Sequence, residues 1–239
     1  MTRARPPHPA AGFSLVELAI VLVVFALLAG GLMMTLTTQQ EVHRLSEVRR
    51  QLADIREALL GYAVANGRLP PPADPALPSG MVGAGTIDEA RVAGVLPWAT
   101  LGLPETDPWG QRFSYRIAAR FADPTSAATV PGCAPDPTPP APAQASFALC
   151  SKGDITVTDG AANIATQLPA IVLSHGRNGL GGFGRDGLAR AGAAGDELEN
   201  ADADGDFVSR AHSPDFDDET AWIPLTILMS RMIAAGRLP

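Results

Sequence analysis

The sequence predicts an α+β protein. One long N-terminal α-helix, with a membrane-spanning first half, packs on a small antiparallel β-sheet head that ends in a C-terminal helix. Three observations carry this reading. An apolar run covers residues 13–36. A charged stretch with apolar residues at spacings of three and four continues it to Asn66. The remainder, in a chain holding 24 Gly and 22 Pro, is cut by turn signals into short apolar segments.

Residues 1–11 are short and basic, with Arg3, Arg5 and His8 among prolines. The apolar run that follows has roughly 24 residues, or ~36 Å at the helical rise. That exceeds the ~30 Å hydrocarbon core, so it can span with some tilt. The arginines in front stay cytoplasmic, which places everything after Leu36 outside the membrane. A cleaved secretory signal would have a shorter apolar core, and Ala29-Gly30-Gly31 is a weak site for such cleavage. A plain signal anchor gives no reason for Glu17. A carboxylate inside a span costs roughly 2.5–3.5 kcal/mol at its centre on insertion scales, so Glu17 is a functional candidate. Gly30-Gly31 either loosens the helix or permits close helix packing.

The order Gly12-Phe13-Ser14-Leu15-Val16-Glu17 resembles the processing site of type IV prepilins and type II secretion pseudopilins. The resemblance implies a pilin-like fold divided into a leader peptide (1–12), the membrane half of the helix (13–36), its amphipathic periplasmic half (37–66) and a globular head (67–239). It implies that prepilin peptidase cuts between Gly12 and Phe13 and N-methylates Phe13. Glu17, one turn further on, would neutralise the new amine of a neighbouring subunit. The implied partners are that peptidase, other pilin or pseudopilin subunits, an inner-membrane assembly platform and the lipid bilayer. The implied location is the inner membrane, with the head in the periplasm, and later a filament. No enzymatic activity is implied. A membrane-tethered periplasmic binding module that forms no filament is the alternative.

Beyond the membrane, Val42, Leu45, Val48 or Leu52, Ile55, Leu59 and Tyr62 form a helical stripe. It spans only about three heptads with mixed core positions, so packing on the head is expected rather than a coiled coil. Asn66-Gly67 and Pro70-Pro71-Pro72 end the helix.

In the head, Asp107-Pro108-Trp109-Gly110 reads as a turn, and it resembles the Trp-Gly turn of pseudopilin heads. Phe113, Tyr115 and Ile117 then alternate as a half-buried strand. Further strands are expected at Ser146–Leu149, Asp154–Val157, Ala170–Leu173 and Thr220–Ile223. Pro224 opens a last helix, which Gly236 stops. Trp98 and Trp109 are expected in the core rather than around a ligand. Cys133 and Cys150 bracket a proline-dense loop, and in an exported domain they are expected to pair rather than remain buried thiols.

A net charge of −7 with Lys152 as the sole lysine leaves no basic patch for direct nucleic-acid binding. Gly179-Leu180-Gly181-Gly182-Phe183-Gly184 has dinucleotide-site spacing. However, Ser174–Asn178 separate it from the preceding strand, and later glycines spoil any helix. Asn200, Asp202, Asp204 and Gly205 fit the opening positions of an EF-hand loop, while Ala211 stands where the closing glutamate belongs. A complete EF-hand is excluded. An irregular calcium loop built from Asn200, Asp202, Asp204 and Asp206 stays open beside a plain solvated acidic loop, with Ca2+ as an optional rather than a required cofactor. Major pseudopilins have a calcium-binding C-terminal loop near a Ser-x-Gly-x-[Asp/Asn]-Gly run, and Ser174-His175-Gly176-Arg177-Asn178-Gly179 is similar in layout.

Overall fold

The computed structural model describes residues 14–123, Cys133 and 144–238, without the side chains of 28–38. Gly12 and Phe13 lie outside the described residues. Helix α1 runs Leu15–Asn66. It starts at Ser14, whose hydroxyl accepts the backbone N–H of Glu17 (3.2 Å) and whose carbonyl accepts that of Leu18 (3.1 Å). A serine at the cap with glutamate three residues later is a favourable helix start, and the carboxylate also faces the positive end of the helix dipole. The helix ends where Gly67 takes φ 73° and donates its N–H to the Ala63 carbonyl, a conformation that costs glycine nothing.

The chain divides into two compact units, Met1–Leu45 and Ser46–Pro239. In the first, every described residue from Ser14 to Leu27 is exposed, including Leu15, Val16, Ile20 and Phe25. Among the described residues, no helix is long and apolar enough to cross a membrane. The expected span of 13–36 falls partly on residues outside that description.

The second unit is built on a four-stranded antiparallel sheet in the order β1 (Ala93–Val95), β3 (Ser114–Ile117), β6 (Ala170–Ser174), β9 (Glu219–Ile223). One face meets the C-terminal part of α1. There Val48, Leu52, Ile55, Leu59 and Ala63 pack with Tyr115, Ile117, Val172 and Ile223. Helix α5 (Leu225–Ala234) adds Leu228, Met229 and Met232 to the same core. Each fully buried Leu or Ile of this kind contributes about 1.5–3 kcal/mol relative to exposure.

The opposite face carries a second, smaller core. Ile171 and Leu173 meet Ile155, Val157, Leu168 and Phe207 from a three-stranded sheet ordered β5 (Asn163–Leu168), β4 (Ile155–Thr158), β8 (Asp206–Val208). Being covered on both faces explains why β6 is buried at every position. The pairing of β4 with β8 is parallel, a departure from the all-antiparallel head expected. A two-residue ribbon, β2 (Gln111–Arg112) with β7 (Phe183–Gly184), and single-turn helices α2 (Trp98–Leu101), α3 (Ala119–Ala122) and α4 (Asp196–Glu199) complete the unit.

Ser146–Leu149 is not a strand. Its backbone bends, Ser146 donates its N–H to the Gly67 carbonyl, and Phe147 packs on Phe121 with ring centroids 4.8 Å apart. Cys133 and Cys150 form a disulfide, with Cα atoms 5.4 Å apart. Trp98 stacks under the buried Arg112 guanidinium at 4.6 Å, and Trp109 packs against the helix-side core.

Candidate functional site

Two regions carry candidate functional side chains. The first is the start of α1. Glu17 is exposed there, and its backbone N–H is capped by the Ser14 hydroxyl.

The second lies in the head, where three loops meet at the N-terminal end of β9. The Ser174–Asn178 turn leaves β6, α4 supplies Glu197, and Asp217-Asp218 precede β9. Phe216 is fully buried, with the Arg210 guanidinium 4.4 Å from its ring centre, which fixes the approach to the two aspartates. Carboxylate oxygens of Glu197, Asp217 and Asp218 all lie within 4.8 Å of one another. Asn178 binds two of them. Its side-chain amide donates to Glu197 Oε1 (2.7 Å) and its backbone N–H to Asp217 Oδ2 (3.0 Å). Asp218 Oδ2 accepts from Asn200 Nδ2 at 2.8 Å.

The other oxygen of each aspartate, Asp217 Oδ1 and Asp218 Oδ1, is buried with no hydrogen-bond partner among the described residues. Burial pushes the Asp218 carboxyl up to about 8, assisted by the charges of Glu197 and Asp217 against the bond from Asn200. Three carboxylates so placed repel one another unless a proton or a cation intervenes. A hard cation with oxygen ligands at about 2.3–2.6 Å suits this spacing and chemistry.

The glycine run has a steric explanation here. A Cβ on Gly176, at φ 59°, would clash with the Asp217 carbonyl oxygen, and one on Gly182 would lie 2.8 Å from the His175 ring. The glycines let the chain pass directly over the aspartate and the histidine.

The structure does not bring the four expected calcium ligands into one set. Asn200 is buried and turned inward. Its Oδ1 accepts from the Val208 N–H (2.8 Å), and its Nδ2 donates to the Val208 carbonyl and Asp218. Asp204 and Asp206 lie instead with Glu199 in a separate surface group. Asp202 accepts the backbone N–H of Asp204. Glu197, Asp217 and Asp218 were missed by the sequence reading, although an Asp-Asp pair after an apolar anchor and before a strand was visible.

Also unforeseen is a contact across 61 residues, where Ser114 Oγ and His175 Nε2 are 2.8 Å apart. The other ring nitrogen is 3.8 Å from Asp218 Oδ1, too far for the oriented bond that a catalytic base needs. Burial holds the His175 pKa down to about 4, so the ring is neutral and ties β3 to the turn after β6.

Residues 8–33 match the prokaryotic N-terminal methylation motif. The chain carries the signature of type IV pilin-like proteins. Gly12, Phe13 and Glu17 fall inside the match, and the α+β architecture of a long N-terminal helix with an antiparallel sheet is consistent with a pilin-like fold. The family defined by this motif is structural rather than enzymatic. No curated protein and no solved structure matches the chain.

Proposed function

We propose that this chain is the precursor of a structural filament subunit, a minor pilin or a type II secretion pseudopilin. The match of residues 8–33 to the methylation motif carries the reading. Prepilin peptidase cuts after Gly12 and methylates Phe13. The apolar start of α1 anchors the product in the inner membrane with the head in the periplasm. On assembly, Glu17 pairs with the amine of a neighbouring subunit, and an inner-membrane platform moves the subunit into the filament. The exposed, capped position of Glu17 supports this role. In the head, a calcium ion held by Glu197, Asp217 and Asp218 joins α4 to the entry of β9. The unpartnered buried oxygens of the two aspartates support that assignment.

Mass spectrometry of the mature protein is the test. The expected N-terminus is N-methylated Phe13, and an intact Met1 or cleavage near Gly31 would refute processing. Replacing Glu17 by Ala should block filament incorporation while membrane insertion persists. The buried carboxylate cluster also favours a second reading, a membrane-tethered cation-binding module that forms no filament. Normal processing with no co-purifying filament partner would select it.

A further inference from the structure

A cavity of about 210 Å3 opens on the face of the main sheet that turns away from α1. It lies between β1 and β3 on one side and the loops around Gly181 and Ala201–Ala203 on the other. Its apolar walls are Pro75, Ala93, Leu173, Phe183 and Phe207. The small residues Gly94, Gly181 and Ala201 leave the space, and two of them cannot be enlarged cheaply. A Cβ on Gly94 would meet the Ala73 carbonyl at 2.5 Å, and one on Gly181 would meet the Ala201 methyl at 2.5 Å.

The polar lining is one-sided. Arg91, Arg116, Ser114 and Asn200 line the cavity, and among the described residues no carboxylate does. The carboxylates that balance the arginines, Asp74 and Asp88 for Arg91 and Asp154 for Arg116, stand outside the lining, and Asp154 is half-exposed. The Arg91 pairs are partly exposed on both sides, where an ion pair contributes little. Arg116 is held by two bonds, Nη1 to Asp154 (3.1 Å) and Nε to the Ala203 carbonyl (3.4 Å), which leave Nη2 out of both. Ala203 adopts φ 65° to present that carbonyl, a left-handed conformation rare for alanine. Asn200 is committed to Val208 and Asp218. Ser114 Oγ is fixed by His175.

An apolar cleft with a few convergent polar groups is the usual form of a small-ligand site. Here the lining side chains that remain available are guanidinium donors, so the ligand must bring the acceptor. We infer that this cavity binds a carboxylate carried on a short, branched apolar group, with the carboxylate at Arg116 and Arg91 and the apolar body against Leu173 and Phe207. The short branched acid 3-methylbutanoate is the simplest ligand of this kind. The C-terminal residue of a peptide and a free short-chain acid share this chemistry.

The test titrates the purified full chain in detergent with 3-methylbutanoate, its uncharged amide, and acetyl-Ala-Leu with a free C-terminus, following backbone amides by NMR. Both carboxylates should shift Ser114, Gly181 and Ala203, and the amide should bind at least about tenfold more weakly. Arg116→Gln should weaken the carboxylates by about the same factor and leave the amide unchanged. Ala93→Leu, which fills the space, should abolish all three, and the preserved spectrum of either variant reports its folding. Tighter binding of the dipeptide than of the free acid assigns the source to a peptide C-terminus, and the reverse assigns it to a small acid. Equal binding of acid and amide, shifts mapping elsewhere, or no shifts at millimolar ligand would overturn the inference.

Discussion

Asp107 shows how much of the head rests on single buried groups. Its Oδ1 accepts the N–H of Trp109 (3.0 Å) and of Gln111 (2.9 Å), and its Oδ2 accepts the Ser174 hydroxyl (2.6 Å). One carboxylate therefore closes the Trp-Gly turn and ties it to the end of β6. Burial raises its pKa even against these bonds. Folded Asp107 thus keeps its proton to higher pH than the unfolded chain does. In the window above the ordinary carboxylate value the native state binds more protons, so stability falls as pH rises. Asp107→Asn keeps an acceptor for the turn and a donor toward Ser174 Oγ but cannot ionise. As pH rises above the ordinary carboxylate value, the wild type should lose stability relative to this variant, measured by urea unfolding. Parallel pH profiles would show that Asp107 titrates normally.

At the scale of elements, the disulfide is the clearest lever. Cys133 and Cys150 are 17 residues apart, and the chain just after Cys150 is pinned where the Ser151 hydroxyl accepts the Ala148 N–H (3.0 Å). Closing a loop of this length stabilises by about 3 kcal/mol in the entropic treatment. Cys150→Ser should lower the urea midpoint by the corresponding amount, and an unchanged midpoint would mean the reduced chain is already as constrained. Which elements could be read from sequence follows from how local their causes are. The stop of α1 at Gly67, the alternation through Phe113, Tyr115 and Ile117, and Pro224 before α5 are signals contained within a few residues. Strands β1, β5 and β8 are short or exposed and have no such pattern; pairing alone makes them strands. Phe147 misled because an apolar residue can plug a core from a bend as well as from a strand. The grouping of the head's carboxylates was not legible for a related reason. Spacing cannot tell that Asn200 turns inward to hold Val208, or that α4 and the entry of β9 converge.

For the whole molecule, a cation at the buried carboxylate cluster would make the head's stability depend on what it binds. Glu197, Asp217 and Asp218 come from segments distant in the chain, and a cation between them would be bound only by the folded state. Such a ligand stabilises by about 2.7 kcal/mol at a hundredfold excess over its dissociation constant. For a domain of this size that corresponds to roughly 5–10 °C in melting temperature. Calcium added to chelator-treated protein should therefore raise the transition by that order. Asp217→Asn should remove most of the shift, because it weakens one of the unpartnered oxygens. Asp206→Asn, in the surface group with Glu199 and Asp204, should leave the shift intact. The opposite pattern would move the cation to the exposed loop, and no shift in any variant would remove it from the head altogether. Because neither substitution touches Glu17 or the start of α1, processing at Gly12 should proceed in both variants, which separates failure of the cation assignment from failure of the filament reading.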